Sequence, residues 1–290
     1  MLILCFFLLF VLLLFPETAA LGGKSGLILW AGVLVPSLLP FSILTSLIRR
    51  LMQGGKWHYL LLAAGILSGY PIGAKIAGEL YKDGSLSRQK ALFFAGFTNN
   101  PSPMFIIFFV GETMLHLGSA KYLFYILVLA SSFLGSLFFC ALTFRRSSRP
   151  STQAICQEPA CTPQRLPLTR IIDEEIASSC LLIIKIGGYI LLFSIFTAFV
   201  QQLPFLPAAL RLSACGILEI TTGVAMIAQA PITPHIKIIL TLAATAFGGL
   251  SAAAQTNSVL QNTGLPLLPY VLMKLSGCFF ALILGFLLFR

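Results

Sequence analysis

The stretch SGYPIGAKIAGELYKDG, residues 68–84, lies between two long apolar runs and sets Lys75 four residues after Pro71 and Glu79 four residues after Lys75. Tyr70 precedes a proline and is biased away from helix, whereas Pro71 suits a first helical turn, so a new helix is expected to start there. Its first turn would present unpaired N–H groups and the positive end of the helix dipole, both of which attract anions. Lys75 adds a full charge one turn further in. The competing reading is an i, i+4 pair of Lys75 with Glu79, or a lysine that snorkels to the membrane interface.

A second polar interruption, GFTNNPSPMF at 96–105, places Asn99, Asn100 and Ser102 beside Pro101 and Pro103. Two amides and a hydroxyl can hydrogen-bond a polar solute, and the prolines free backbone carbonyls to join them; the alternative is a kink satisfied by neighbouring helices. FGGLSAAAQTN, from Phe247, offers Ser251, Gln255 and Asn257 against a reading of close packing through small residues. Glu219, followed by Thr221 and Thr222, either couples transport to protons or neutralises Lys75, Lys185 or Lys274. His58, His116 and His235 form no ligand spacing, and Cys156 and Cys161 have neither a second pair nor histidines nearby, so no metal or cofactor is expected. GGKSG at 22–26 lacks the first glycine of a phosphate-binding loop, and Ser68 has no hydrolase context. The chain reads as a non-enzyme.

The elements that must hold these groups are membrane helices. Of 290 residues 58% are hydrophobic and 10% charged, which excludes a soluble globular domain. Apolar runs near the roughly 20 residues of a spanning helix recur along the chain, so the fold class is all-α, a polytopic membrane helical bundle. The net charge of +10 is spread over short loops rather than one face, a topological pattern that excludes nucleic acid as a partner. The first run, ending at Pro16, lacks the basic start of a secretory signal and is expected to remain a membrane helix, residues 1–24.

Further segments are expected near 26–48, 57–81, 89–110 and 121–144, and, after a polar linker at 145–170, near 175–203, 212–230, 236–255 and 267–289. The two sets, 25–144 and 171–290, look alike: PFSILTSLIRRL aligns with LFSIFTAFVQQL, GILSGYPIGA with GILEITTGVA, and FTNNPSP with FGGLSAA. Their order and spacing favour an internal duplication. The loops with Arg49, Arg50 and Lys56, with Lys82, Arg88 and Lys90, and with Arg145, Arg146, Arg149, Arg165 and Arg170 are all basic and belong on the cytoplasmic side. Segment 57–81 must then enter and return on one side. That makes it a re-entrant hairpin and the two halves inverted repeats.

FPETAALGGKSGLILWAGVLVPSLLPF, the GYPIGAK block through FTNNPSPMFI, and FGGLSAAAQ resemble the signature blocks of the sporulation integral membrane protein YlbJ family, also called SpoVV, within the Gate-domain proteins. The resemblance spans nearly the whole chain. It implies a protein of a membrane around the forespore that moves dipicolinate, and a plan shared with nucleoside and ferrous-iron transporters. By motif it carries substrate contacts onto Gly69, Tyr70, Pro71, Gly73 and Lys75, onto Asn99, Asn100, Ser102 and Pro103, and onto Ser251 and Gln255. FTNN stands where a small-residue or Cys-Asn pattern is expected, and SAAAQ where a histidine is expected before the glutamine. With Glu219 these are the candidate substrate-binding residues. The expected partners are the lipid bilayer, a small anionic or polar solute and, in a homo-oligomer, copies of the chain. The alternatives are a nucleoside-type transporter and a non-transporting scaffold for spore assembly.

Overall fold

The computed structural model describes residues 2–51, 58–144 and 167–289, and every regular element among them is helical. The polar linker, apart from its last few residues, and Cys156 and Cys161 lie outside the described residues. Four helical stretches are long and apolar enough to cross a membrane: Ala120–Thr143, Leu168–Gln202, Pro234–Leu260 and Leu267–Leu288. Large apolar side chains such as Phe6, Phe108, Ile126, Phe279 and Phe286 cover the outside, as a surface solvated by lipid requires. The chain is a multi-pass membrane helical bundle.

Helix α1 (Leu2–Leu14) ends at Phe15, whose φ of −127° leaves the helical region, and Pro16 opens α2 (Pro16–Leu29) at the helix position proline tolerates best. A π-helical turn, Trp30–Leu34, joins α2 to α3 (Val35–Leu51). The N-terminal helix expected at 1–24 is therefore two helices, and the second runs on through the segment expected to start near 26. Thr18, Gly22 and Gly26 recur every fourth residue and are buried against α8 (Leu168–Gln202). A Cβ on Gly22 would lie 2.7 Å from Ile195 Cα, so only a bare backbone permits this approach.

Segment 57–81 is two helices, α4 (His58–Ser68) and α5 (Ile72–Lys82), separated by Gly69, Tyr70 and Pro71. Eleven residues rise about 16 Å, roughly half the hydrocarbon thickness. The helices fold back on each other: a Cβ on Gly65 would stand 3.0 Å from Gly73 Cα. The same device recurs at α9 (Ala208–Leu218) and α10 (Ile220–Gln229), where a Cβ on Gly223 would stand 2.3 Å from Gly216 Cα. Gly65 and Gly216 occupy the same place in the aligned strings GILSGYPIG and GILEITTG, and Gly73 and Gly223 lie one position apart.

Each hairpin is followed by an interrupted helix. Helix α6 (Arg88–Thr98) stops at Asn99 and resumes, π-wound, at Met104–Met114; α11 (Pro234–Phe247) stops at Gly248 and resumes as α12 (Gly249–Leu260). Two unbroken helices, α7 (Ala120–Phe144) and α13 (Leu267–Leu288), then pack on each other so closely that a Cβ on Gly135 would stand 2.3 Å from Gly277 N.

Candidate functional site

The four chain interruptions meet. A cleft inside the bundle is lined by Gly69 and Tyr70 of the first hairpin, Pro101 and Ser102 of the first helix break, Glu219 and Thr221 of the second hairpin, and Gly248, Ser251 and Gln255 at the second break. Leu34, Leu38, Phe105, Ile190 and Ile220 supply its apolar wall. Among the described residues no lysine or arginine lines it, and Glu219 is its one ionisable carboxyl.

Gly248 shows why this meeting needs its particular residues. Its φ is +86°, a region that disfavours any side chain, and an added Cβ would stand 2.5 Å from the Tyr70 hydroxyl. The first hairpin thus rests its tip on the second helix break. The Tyr70 hydroxyl is buried and has no hydrogen-bond partner among the described residues, which marks it as a group free to meet a solute. Gln255 Nε2 donates to Ser251 Oγ at 3.2 Å, while Ser102 Oγ accepts from Phe105 N at 3.3 Å.

Four half-helices begin at these breaks, and they differ in what satisfies their first N–H groups. The N-terminus of α5, expected to face an anion, is capped from another element: Asn99 Oδ1 accepts from Ala74 N at 3.3 Å. The N-terminus of α10 is capped by its own Glu219, 3% exposed, whose two carboxylate oxygens accept from Thr221 N at 3.0 Å and Thr222 N at 2.8 Å. At Met104–Met114, Ser102 Oγ accepts from Phe105 N, so among the described residues α12 alone starts without a side-chain cap, with Ser251 in its first turn. The positive helix end that faces the cleft uncapped is therefore that of α12.

Six of the sequence candidates, Gly69, Tyr70, Ser102, Glu219, Ser251 and Gln255, come together in the cleft. The others serve it from behind. Pro71 ends the hairpin tip, Pro103 precedes the π-wound half-helix, and Gly73 is a packing contact, since a Cβ there would stand 2.6 Å from Thr98 O. Asn99 is fully engaged: besides capping α5, its amide nitrogen donates to Thr256 Oγ1 and Tyr270 Oη, both at 2.9 Å. Asn100 accepts at Oδ1 from Ser132 Oγ at 2.6 Å and from Lys274 Nζ at 2.8 Å.

Lys75 is absent from the cleft lining. It donates to Ser46 Oγ on α3 at 3.2 Å and opens, with Glu79 and Lys82, onto a separate recess. Positions i, i+4 and i+7 share one helix stripe, and the stripe holding Lys75 runs away from the hairpin tip. Glu219 neutralises none of the three lysines considered for it: among the described residues its carboxylate meets only the two backbone N–H groups. Lys274, 2% exposed on α13, is a buried basic group that the sequence pattern does not place among the site candidates. Its signal was present, a lone lysine inside LPYVLMKLSGCFF.

Over 95% of its length the chain is similar to the sporulation integral membrane protein YlbJ of Bacillus subtilis (strain 168), at 26% identity in an alignment 325 positions long, gaps included, that covers 78% of that relative. No protein-family model and no solved structure matches the chain.

Proposed function

We propose that this chain, a YlbJ-family sporulation membrane protein by its near full-length similarity, is a transporter that carries a small polar solute through the cleft at the chain breaks. The observation behind this reading is the convergence of two hairpin tips and two helix breaks on one cleft, with Tyr70, Glu219, Ser251 and Gln255 in its lining. Irregular backbone at membrane depth is tolerated where it is buried in protein or lines a polar cavity, and discontinuous helices of this kind build transporter binding sites. The two halves act as inverted repeats whose relative rocking exposes the cleft to each side in turn.

Dipicolinate is the solute that the family resemblance indicates, with one carboxylate at the uncapped start of α12 beside Ser251 and the Tyr70 hydroxyl donating to the other. A nucleoside-type solute is the second reading, favoured by a specific feature: among the described residues the cleft offers a carboxylate, an amide and hydroxyls but no basic side chain. Uptake into vesicles containing only this protein decides between them. Dipicolinate accumulation that uridine does not suppress is expected, and uridine uptake without dipicolinate uptake selects the second reading. No uptake of either by a folded protein returns the chain to the scaffold class. Glu219→Gln should remain folded, because an amide oxygen still accepts from the α10 N-terminus, at about 1 kcal/mol lower stability. Its uptake should fall.

A further inference from the structure

Glu79 and Lys82 on α5 share with Lys75 a recess that is completed by Ser178 and Lys185 of α8, by Ser258 of α12 and by Asn262 in the turn after α12. A second recess shares Lys185, Ser258 and Asn262 and adds Tyr189 and Gln261. Together they form a polar groove with three lysines against one glutamate. Lys82 and Lys185 are exposed, and Lys75 is half-buried.

The groove is connected to the cleft along two helices. Gln255, in the cleft, is followed at i+3 on the same face of α12 by Ser258, a rise of about 5 Å, and Asn262 stands in the turn just after that helix. Along α8, Leu182 of the groove and Ile190 of the cleft also share a stripe. The groove lies at the end of the bundle that holds the basic loop after α5 and the paired start of α8, where Arg50 bridges Glu174 at 2.7 Å and Glu175 at 3.1 Å. Lys185 stands 17 residues beyond the first residue of α8, well inside an apolar span. A lysine at that depth is costly unless a polar surface or an anion receives it. Amides and hydroxyls lie on one side of it and two further lysines on another.

We propose that the Lys75–Lys82–Lys185 groove is an anion-binding vestibule that takes a carboxylate or phosphate group at the basic face and stands one step before the cleft. The assignment of a solute to it rests on the transport reading. The binding of an anion to it does not. Three like charges in a walled groove raise the local concentration of an anionic ligand, whereas the cleft itself, with Glu219 and no base, has nothing to attract one over distance.

The test uses the full-length protein with dipicolinate as a small dianion probe, in equilibrium binding in neutral detergent and in uptake by vesicles of phosphatidylcholine alone. Wild-type binding should weaken as KCl is raised. The double variant Lys82→Gln/Lys185→Gln should weaken binding, and raise the half-saturating concentration for uptake, by about tenfold, and its salt dependence should flatten. Lys237→Gln, on the sparsely charged face, should change neither. Phosphatidylglycerol is the other source of such an anion. If it is retained by wild type and lost from the double variant while dipicolinate binds both equally, the vestibule holds a lipid phosphate. Equal retention of both anions by wild type and double variant overturns the proposal. Lysine-dependent dipicolinate binding by a wild-type protein that shows no uptake would keep the vestibule and remove the transport reading.

Discussion

Lys274 and Asn100 show how a single buried contact is tied to the cleft. The ammonium group lies behind the first helix break, hydrogen-bonded to an amide oxygen that also accepts from Ser132, and no carboxylate bridges to it among the described residues. Removing the lysine leaves Asn100 Oδ1 still satisfied by Ser132, whereas removing Asn100 leaves a buried amine and a hydroxyl without their acceptor. Lys274→Met should therefore unfold within a few degrees of wild type, or above it, and Asn100→Ala should lose about 3 kcal/mol. Thermal unfolding of the purified protein in one detergent measures both. Equal losses would mean that the lysine holds the break in place as much as the amide does. Because Pro101 and Ser102 follow Asn100 into the cleft lining, a stable Lys274→Met protein with reduced uptake would place this lysine in the transport cycle.

At the scale of elements, the two hairpins share a glycine crossing but not its geometry. A methyl group on Gly223 would stand 2.3 Å from Gly216 Cα, a backbone clash, while one on Gly216 would be 3.9 Å from Gly223 Cα, an ordinary contact. Gly223→Ala should separate α9 from α10 and cost more than about 2 kcal/mol, by analogy with overpacking in close-packed cores. Gly216→Ala should be neutral or gain up to about 1 kcal/mol of helix propensity. Equal tolerance of the two, measured by thermal unfolding, would sink the close hairpin crossing. The hairpins were legible in the sequence because their causes are local: Gly-Tyr-Pro breaks one helix, and the repeated Gly-Ile-Leu marks the other. The side-chain assignments were less legible because their causes are tertiary. Whether Asn99 faces a solute or caps α5 depends on how α6 docks, and Lys75 took its direction from Ser46 on α3, neither of which a local pattern encodes. Glu219 was legible as a buried acid, but its use as a cap required knowing that α10 starts at the next residue.

For the whole molecule, the inverted-repeat reading makes a claim about sides. If α4–α5 and α9–α10 each enter and return, the loop after the first hairpin lies on the side from which 58–82 entered, and the loop after the second on the side from which 208–229 entered. On that reading three crossings lie between them: α6 with its interrupted, π-wound continuation, α7, and α8. An odd number of crossings places the two loops on opposite faces. The charges agree, since Lys82, Arg88 and Lys90 surround the first loop while Lys237, which donates to Ala228 O at 2.6 Å, is the basic residue beside the second. In an otherwise cysteine-free protein, Ser85→Cys should be protected from an impermeant thiol reagent added outside, and Thr233→Cys should react; both positions are exposed. Reaction of position 85 from outside would mean that α4–α5 crosses after all, even though each of its helices rises only about half the hydrocarbon thickness. The same result would move the vestibule lysines away from the basic face, because Lys82 immediately precedes that loop. A single labelling experiment therefore bears on the hairpin, on the relation between the two halves and on the side from which an anion would approach.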